Sequence, residues 1–550
     1  MFSLTRFIAA IAILLSLFIP PAWSQDGRVA IQANTPPSLE RATFVKRSDP
    51  HGMMEIVVGL KMRNEQDLDD LITRQQDSAS PDYHRFITPA DFADRFAPAQ
   101  SDVDNVSSYL ESQGFSVLQV TPNRMLIQAR GTVGQIEQAF QVSINDYDLG
   151  GRQHFSNDHD PSVPAQLKDI VRSIGGLSSL ENRHSMVVPG ALAPTVIFTP
   201  QQIAKAYNYP NVLTKPIKPP YDGSGVTIAI ATAFSFASSD VDFFWQYLKI
   251  VRTGAVTTVP VNGGSSQTGF ETTLDIQQAG AQAPGSNLLV YTIPGDANGF
   301  ASNVNFQIMF SQIVSDNSAS IVSHSWGNCE KNYGSAQMQS DDATFKQGTA
   351  QGISFFASSG DNGAYLCGGT DTNLAVDFPA SDPYVTGVGG TSLTLNSKGT
   401  RSSETAWTGS GGGISQVFPL PSWQSGRVPP SHWRSLPDIA LDADQNTPYY
   451  AYFQGQWRAS GGTSFASPNW AALWALGIQA IKGHRTGQAA PLLYKLAASS
   501  VYHFNLHDIT TGNNGGGVGP GYKAGKNWDY PTGWGTPNGA NLVKWLISNP

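Results

Sequence analysis

The chain has 550 residues, with 34 Lys and Arg against 42 Asp and Glu, so its formal net charge is −8. Only 14% of the residues are charged and the basic ones form no dense cluster, which argues against a nucleic-acid partner. The length predicts more than one domain, and the frequent Gly, Pro, Trp and Tyr residues indicate a loop-rich globular protein, not a disordered chain.

The N-terminus is typical of an export signal. Arg6 precedes an apolar run at residues 7–19, and Ala22-Trp23-Ser24 supplies a small-x-small cleavage site. We therefore expect residues 1–24 to be a signal peptide and the rest of the chain to be secreted. No later segment has the roughly 20 apolar residues that a membrane-spanning helix needs, so no membrane partner is expected.

Residues 25–184 have the mixed patterning of an α+β domain. Alternating apolar residues predict a strand at 54–60, helical spacing predicts a helix at 68–72, and Thr88 before Pro89 predicts a capped helix start. A further helix is predicted at 103–110, and strands at 117–120 and 124–129. Residues 185–198 carry few structural signals and are predicted to be a linker that is easily cleaved.

From residue 199 to residue 550 short apolar runs alternate with helical stretches. The runs lie at residues 226–231, 287–293, 320–325, 353–358 and 384–388. This alternation predicts an α/β domain with a doubly wound, mostly parallel sheet, in which ligands bind outside the carboxyl ends of the strands.

A Gly-rich turn at residues 460–468 places Ser464 just before an apolar helical run at 469–480. The positive end of a helix dipole favours developing negative charge, so this is a favourable position for a nucleophile. The alternative is that Thr463 or Ser464 only caps the helix, with Pro468 tolerated in its first turn.

Glu271 and Asp275 have the i, i+4 spacing that puts two carboxylates on one helical face. Such a pair usually faces solvent, but Phe270, Leu274 and Ile276 beside it are apolar. This favours a functional role for the two acids. None of the ten histidines lies in a His-Gly-Thr context between the first strand of the predicted sheet and the Gly-rich turn, so the usual base of a serine hydrolase is missing.

Asp361 follows the predicted strand at 353–358, where α/β active sites are assembled. The alternative is a simple turn, since Gly-Asp-Asn-Gly is a favourable turn sequence.

Together these segments closely resemble the sedolisin, or serine-carboxyl peptidase, family of kumamolisin-like enzymes. The resemblance covers nearly the whole of the chain after the signal. Further shared motifs lie at residues 199–210, 323–327, 378–381, 389–391, 410–413 and 437–440, and motifs of the family's activation pro-domain lie at 84–92 and 95–98.

The resemblance implies a subtilisin-like catalytic domain at 199–550, preceded by an α+β pro-domain that acts as intramolecular inhibitor and chaperone. It implies that Ser464 is the nucleophile, Glu271 its general base, Asp275 the acid that orients Glu271, and Asp361 the oxyanion stabiliser. A carboxylate base works in acid, where an imidazole is already protonated. We expect proximity to raise the pKa values of some of these acids.

The resemblance also implies one structural Ca²⁺ ion near the C-terminus. Asp508 and Asp529 would bind it through side chains, and Ile509, Gly525 and Asn527 through main-chain oxygens. Such oxygen ligands suit a hard cation. Asn527 stands where the family pattern has Gly, which does not alter a main-chain ligand.

Three further expectations concern the remaining motifs. The strand at 227–233 lacks the acid that some relatives have there, so Trp326 is expected to be a packing residue only. Backbone groups at 410–413 are expected to pair with a peptide substrate. Cys329 and Cys367 are expected to form one disulfide in an oxidising compartment.

The sequence thus predicts a monomeric, secreted, acid-acting endopeptidase that cleaves peptides or denatured proteins and is made as a zymogen that processes itself at low pH. Three alternatives stay open. They are a tripeptidyl aminopeptidase of the same fold, a non-catalytic binding protein on this scaffold, and a neutral Ser-His-Asp hydrolase with His324 as the nearest candidate base.

Overall fold

A computed structural model describes residues 27–190, 196–214, 220–368 and 371–549. The predicted signal peptide, residues 1–24, lies outside the described residues, and so does part of the predicted linker, residues 191–195.

The N-terminal unit is an α+β structure, as predicted. Its strands are β1 (Arg28–Ala30), β2 (Thr43–Arg47), β3 (Met53–Leu60), β4 (Ser116–Val120), β5 (Leu126–Thr132), β6 (Ile144–Leu149), β7 (Arg152–Asn157), β8 (Ser162–Pro164) and β9 (Val171–Gly175). Its helices are α1 (Glu65–Gln76), α2 (Pro89–Arg95), α3 (Gln100–Ser112) and α4 (Val133–Phe140).

The main sheet of this unit is antiparallel, in the order β4-β5-β3-β9, and a second sheet has the order β2-β6-β7. Thr88 caps α2, because its hydroxyl accepts the Asp91 N–H at 3.1 Å while the Asp91 carboxylate accepts the Thr88 N–H. The predicted strand at 124–129 begins two residues later, at Leu126, because Arg124 adopts a left-handed φ of 59° in a turn.

Two short strands connect the units: β10 (Arg183–Ser185) and β11 (Val188–Pro189). The helices of the C-terminal unit are α5 (Pro200–Ala206), α6 (Ser238–Tyr247), α7 (Phe270–Gln282), α8 (Asn303–Asp316), α9 (Ser335–Ala350), α10 (Thr463–Ala480), α11 (Ala489–Ala497), α12 (Tyr502–Asn505) and α13 (Gly539–Ser548).

The strands of the C-terminal unit alternate with these helices. They are β12 (Thr227–Ala233), β13 (Val256–Pro260), β14 (Asn287–Ile293), β15 (Phe300–Ala301), β16 (Ile321–His324), β17 (Trp326–Cys329), β18 (Ser354–Ser358), β19 (Asp377–Phe378), β20 (Val385–Leu395), β21 (Arg401–Ala406), β22 (Gly413–Pro419), β23 (Trp433–Leu436), β24 (Ile439–Asp442), β25 (Tyr449–Phe453), β26 (Gln456–Gly461), β27 (Leu506–His507) and β28 (Thr536–Pro537).

The central sheet has the order β13-β14-β12-β16-β18-β20-β21, with β24 also pairing with β20. All its pairings are parallel except that of β20 with β21. Each of the five apolar runs predicted as strands lies in this sheet, which confirms the predicted mostly parallel α/β architecture. Helices α7 and α10 pack together on one face, and α8 and α9 pack together on the other.

Cys329, at the end of β17, forms the predicted disulfide with Cys367, at a Cα–Cα distance of 4.9 Å. Within the described residues, no helix combines the length and the apolar character needed to cross a membrane.

Candidate active site

The four predicted catalytic residues come from three separate segments and meet at one place. Glu271 and Asp275 lie on α7, Asp361 follows β18, and Ser464 is the second residue of α10. The charges of Asp275 and Asp361 and the hydroxyl of Ser464 all act on the Glu271 carboxylate. These residues are distant in the sequence, so it is the order of the parallel strands that brings them together.

Gly462 precedes α10 with a φ of 111°, a conformation that only glycine adopts easily. Neither Thr463 nor Ser464 caps the helix with its side chain. Ser464 is fully buried, and its Oγ has no hydrogen-bond partner, histidine or otherwise, in the part of the chain that the structure describes. The simple capping role that the sequence left open is therefore not what these side chains do.

Glu271 and Asp275 are both buried, at 3% and 0% exposure. Burial raises the pKa of each carboxyl well above its ordinary value, and the Asp275 charge raises that of Glu271 further. The Ser325 hydroxyl donates to Asp275 Oδ1 at 2.8 Å. The Ser464 and Ser325 hydroxyls lie close enough to oppose the shift of the Glu271 pKa, although neither forms a hydrogen bond of ordinary geometry with Glu271.

Asp361 as a whole is half-buried, but its Oδ2 atom is buried and has no hydrogen-bond partner among the described residues. Its Oδ1 accepts the Thr463 N–H at 2.8 Å and the Thr463 hydroxyl at 2.9 Å. Burial raises the pKa of Asp361 to about 7, although the two bonds from Thr463 act in the opposite direction. Asp361 is therefore held by one oxygen and free to donate from the other when protonated.

His324 is engaged elsewhere. Its Nδ1 contacts the Ala231 carbonyl at 2.8 Å, and its Nε2 contacts the Arg183 guanidinium at 3.3 Å. Burial and the Arg183 charge lower the pKa of His324 to about 3. Both ring nitrogens of His324 are therefore paired with groups other than Ser464, which argues against His324 as the base.

Trp326 is buried, and its indole N–H donates to the Thr232 hydroxyl at 3.1 Å. Thr232 also contacts the Thr272 hydroxyl at 2.9 Å, and Thr272 precedes Asp275 on α7 by three residues. Trp326 therefore does more than pack, because a chain of hydroxyl groups links it to the helix that carries the acids.

The cleft beside Ser464 is filled by the chain's own segment 183–190. Strand β10 pairs with β15 and β17 on one side of Ser464, and β11 pairs with β26 on the other. Residues 410–413, which were expected to bind a peptide, do not pair with segment 183–190 in the described structure. Instead, the Gly411 N–H donates to the Gly360 carbonyl, and the Gly411 carbonyl accepts from the Ser359 hydroxyl. The backbone of this segment is used in internal hydrogen bonds.

Two residues that hold the acids, Thr463 and Ser325, could not be identified from the sequence. They lie in the Gly-rich turn at 460–468 and in the shared motif at 323–327, but no local pattern tells which acid each would reach.

The predicted calcium ligands lie around one turn. The Gly525 N–H donates to Asp529 Oδ2 at 2.8 Å, and the Asn527 N–H donates to Asp508 Oδ2 at 3.0 Å. Asp508 Oδ1 is buried without a partner in the described chain, and Asn527 adopts a φ of 66°, which suits Gly or Asn. No group of three or more acidic, His or Cys side chains forms a metal site within residues 27–190, 196–214, 220–368 and 371–549. A set with two carboxylates and main-chain oxygens still fits a hard cation.

Comparison with known proteins gives two family matches and close relatives. The pro-kumamolisin activation domain matches residues 40–180, and the subtilase family matches residues 260–535. Sedolisin from Pseudomonas sp. (strain 101) is 34% identical over 519 residues, which cover 90% of this chain and 87% of that protein. Tripeptidyl-peptidase 1 from Homo sapiens is 26% identical over 551 residues, which cover 91% and 93%.

A solved structure of Pseudomonas sedolisin (serine-carboxyl proteinase), complexed with two molecules of pseudo-iodotyrostatin, is also similar. Its TM-score is 0.58 at 32% identity, and the match covers 65% of this chain and 100% of that one.

Proposed function

The chain belongs to the sedolisin family of serine-carboxyl peptidases, and we propose that it is an acid-acting endopeptidase secreted as an inactive precursor. It is a serine-type peptidase with a subtilisin-like fold and a zymogen activation domain. The observation that carries the proposal is the meeting of Ser464 with three buried carboxyl groups and, among the residues that the structure describes, no histidine. We assign residues 1–24 to the export signal, 25–184 to the pro-domain, 185–198 to processing and 199–550 to the catalytic domain.

In the proposed mechanism Ser464 Oγ attacks the substrate carbonyl and Glu271 takes its proton. Two carboxylates buried together cannot both ionise cheaply, so the pair keeps one proton over a range of pH. Asp275 would hold that proton on Oδ2 while Glu271 is ionised, since its Oδ1 accepts the Ser325 hydroxyl. Activity is then lost in strong acid, where the pair takes up a second proton.

The tetrahedral oxyanion would be stabilised by two donors, the Ser464 N–H and the protonated Oδ2 of Asp361. Because burial raises the Asp361 pKa to about 7, this carboxyl is neutral in acid and can donate. The two demands, an ionised base and a neutral oxyanion donor, are met together only on the acid side of neutrality.

An endopeptidase is favoured over a tripeptidyl aminopeptidase by the chain that lies in the cleft. On the β10 side of Ser464 the bound segment is longer than the three residues that a tripeptidyl aminopeptidase releases. Arg183, at the far end of this side, is still paired with Ala301 of β15. Digestion of a long peptide tests this point. Fragments of varied length support an endopeptidase, whereas successive tripeptides released from the N-terminus would contradict it.

Proteolysis of a denatured protein across pH tests the proposal as a whole. Activity with an acid optimum is expected. A mature protein that binds peptides but cleaves none at any acid pH would favour the alternative of a non-catalytic binding protein.

The pro-domain is proposed to be held on the catalytic domain partly by ion pairs. Lys346 of α9 contacts Glu65 at 3.3 Å and Asp69 at 2.9 Å, both on α1 of the pro-domain. Burial acts to raise the Glu65 pKa, but the charges of Arg172 and Lys346 outweigh it and hold this pKa below its ordinary value. The ion pair between Glu65 and Lys346 therefore stabilises the docked pro-domain at pH values above the ordinary pKa of a glutamate. This stabilisation is lost as the pH falls through the lowered pKa of Glu65.

Replacing Glu65 by Gln together with Asp69 by Asn should let the precursor activate at higher pH. Partly exposed pairs contribute about 0.2–1 kcal/mol each, so we expect the midpoint of activation to rise by roughly 0.5 pH unit. Intact precursor is quantified after incubation over a pH series. Glu111→Gln, an exposed carboxylate on α3 of the same unit, is the matched control, and an equal shift in that variant would argue against the interface.

We propose that Asp508 and Asp529, with main-chain oxygens of Ile509, Gly525 and Asn527, hold one structural Ca²⁺. Asp508 Oδ1 is buried without a hydrogen bond of ordinary geometry, although the Tyr502 hydroxyl lies near the Asp508 carboxylate, and this supports the assignment. Calcium bound there would fasten the C-terminal turn and take no part in the chemistry.

Calcium at a hundredfold excess over its dissociation constant should raise the melting temperature by roughly 5 °C, since it adds about 2.7 kcal/mol to the free energy of unfolding. The mature enzyme is melted with Ca²⁺ and with a chelator. Asp508→Asn should abolish the difference, whereas Asp242→Asn, on the exposed side of α6, should keep it. A calcium effect that survives in Asp508→Asn would place the ion elsewhere.

A further inference from the structure

The segment 183–190 crosses the active site as an extended chain held on both flanks. On the first flank His184 lies opposite Gly327 and Ser185 opposite Trp326 in an antiparallel register. On the second flank Val188 lies opposite Gly461, and the Gly190 N–H donates to the Ala459 carbonyl at 2.9 Å. Strand addition of this kind is how peptides are bound in extended form.

The first flank is also anchored by a buried ion pair. Arg183 is fully buried and donates to Asp341 at 2.6 Å and to Asn303 at 3.0 Å. Residue 183 therefore has little freedom to slide, and it fixes which residue of the segment reaches Ser464.

Between the flanks, the Met186 carbonyl is the group that contacts Ser464, through the Ser464 backbone N–H. It accepts the Ser464 N–H at 2.9 Å, and the Met186 N–H donates to the Ser325 carbonyl at 3.0 Å. A Cβ atom on Gly462 would lie 2.5 Å from the Met186 oxygen, 2.7 Å from Asp361 Oδ2 and 2.9 Å from the Val187 Cα. These atoms thus converge on the space that a side chain at 462 would fill.

The two atoms with which the enzyme would act on this carbonyl are not held by hydrogen bonds of ordinary geometry. Ser464 Oγ and Asp361 Oδ2 are both buried without such bonds within the described ranges, and Ser464 Oγ lies near the Glu271 carboxylate. The Met186 oxygen already accepts a hydrogen bond from the Ser464 N–H, which is one of the two donors proposed for the oxyanion. The second proposed donor, Asp361 Oδ2, lies beside it.

The Met186 side chain fills a pocket beside the same site. Met186 is 1% exposed. A Cβ atom on Gly327 would lie 2.7 Å from Met186 Cε and 2.9 Å from the Phe378 carbonyl, so the absence of a side chain at 327 makes the room that Met186 uses. A long, unbranched apolar side chain fits this pocket.

We propose that the Met186–Val187 peptide bond is the first bond that this enzyme hydrolyses, within its own chain, and that Val187 is the first N-terminus of the processed enzyme. The proposal rests on the function proposed above and names its first substrate. The same pocket makes an unbranched apolar residue before the cleaved bond the preferred feature of other substrates.

The step balances as an ordinary hydrolysis. Ser464 Oγ bonds to the Met186 carbonyl carbon while Glu271 takes the hydroxyl proton, and the C–N bond to Val187 then breaks as Glu271 returns the proton to the leaving amine. Water then cleaves the Met186–Ser464 ester. The products are a Met186 carboxylate, a Val187 amine and the free Ser464 hydroxyl.

The test uses the full-length precursor, acidified and quenched at early times. Intact mass and N-terminal sequencing should find Val187 as the first new N-terminus, with a complementary fragment that ends at Met186. The fraction of precursor cut per unit time should not change over a tenfold range of protein concentration, because an intramolecular cut is a first-order reaction. An earliest N-terminus at any other residue, or a first-order rate constant that rises with protein concentration, overturns the proposal.

Met186→Asp provides a second test, since a short acidic side chain would have to replace the methionine in its buried pocket. Cleavage after residue 186 should slow by about tenfold or more because the reacting carbonyl is no longer held in place. Met53→Asp, at a methionine 61% exposed on the pro-domain, is the matched control and should be cleaved like the natural chain. Equal cleavage after residue 186 in both variants contradicts the proposal.

A synthetic peptide with the sequence of residues 182–190 keeps the proposal testable if the variant precursor does not fold. Enzyme matured from the natural chain should cut it between Met and Val. Cutting only at another bond overturns the assigned bond and leaves the proposed function intact, whereas failure to cut this peptide and every denatured protein at acid pH contradicts the proposed function itself.

Discussion

Ser464→Ala should lower the rate of proteolysis by about 10⁵-fold, and Glu271→Gln by about 10²–10⁴-fold, at every acid pH. Ser464 is fully buried at the start of α10 with its Oγ free, so removing this oxygen removes the nucleophile and leaves the helix in place. Glutamine keeps the size of Glu271 but cannot accept a proton, and no other described group near Ser464 replaces it as a base.

The measurement is the initial rate of cleavage of a denatured protein over a pH series, with enzyme matured from the natural chain as reference. Because the variants should fail to process themselves, they are first matured in trans by a trace of natural enzyme, which is then removed. Folding of each variant is checked by its melting temperature.

Three matched variants separate chemistry from packing. Ser467→Ala removes a buried hydroxyl one turn along α10, and Glu330→Gln neutralises a buried carboxylate that bonds to Ser415 and Gln416. His324→Ala removes the ring that the Ser-His-Asp alternative needs. All three should keep most of the activity. A neutral optimum that survives Glu271→Gln but not His324→Ala would return the base to histidine and contradict the proposed mechanism.

The helices and strands that carry the site can be predicted well because each is encoded by a local pattern of apolar and polar residues. The apolar run at 287–293 forms β14 over the same residues, since a parallel strand covered on both faces needs a nearly continuous apolar stretch. Glu271 and Asp275 share a face because helical spacing alone puts them there. The position of Asp361 at the carboxyl end of β18 could be predicted because the apolar run that forms this strand is easy to recognise in the sequence.

Other parts of the site depend on tertiary pairing that no local pattern encodes. Ser325 reaches Asp275, and Thr232 accepts from Trp326, because of how neighbouring strands and α7 are placed side by side. The internal contacts of residues 410–413 could not be foreseen for the same reason. Glycines permit close backbone approach, and here Gly411 approaches Gly360 of the same chain.

The acid optimum should depend on Asp361 in a way that two substitutions can separate. Burial raises its pKa to about 7, so the carboxyl is protonated below that pH and ionised above it. Only the protonated form can donate to the oxyanion, and the ionised form repels it. Activity of the natural enzyme should therefore fall as pH rises through about 7.

Asp361→Asn should remove that alkaline decline, because an amide donates a hydrogen bond at every pH while its oxygen still accepts from Thr463. Asp361→Ala supplies no donor and should lose about 10²–10³-fold in kcat at the optimum, with little change in KM. The loss in Asp361→Asn should be smaller, and its acid decline, which belongs to Glu271 and Asp275, should stay where it is.

We would measure kcat and kcat/KM against pH for the natural enzyme and for both variants. Asp242→Asn, at an exposed position of α6, serves as control. If Asp361→Asn keeps the alkaline decline of the natural enzyme, that decline comes from another group. Asp361 would then hold Thr463 in position without donating to the oxyanion, and the acid dependence would belong to the Glu271–Asp275 pair alone.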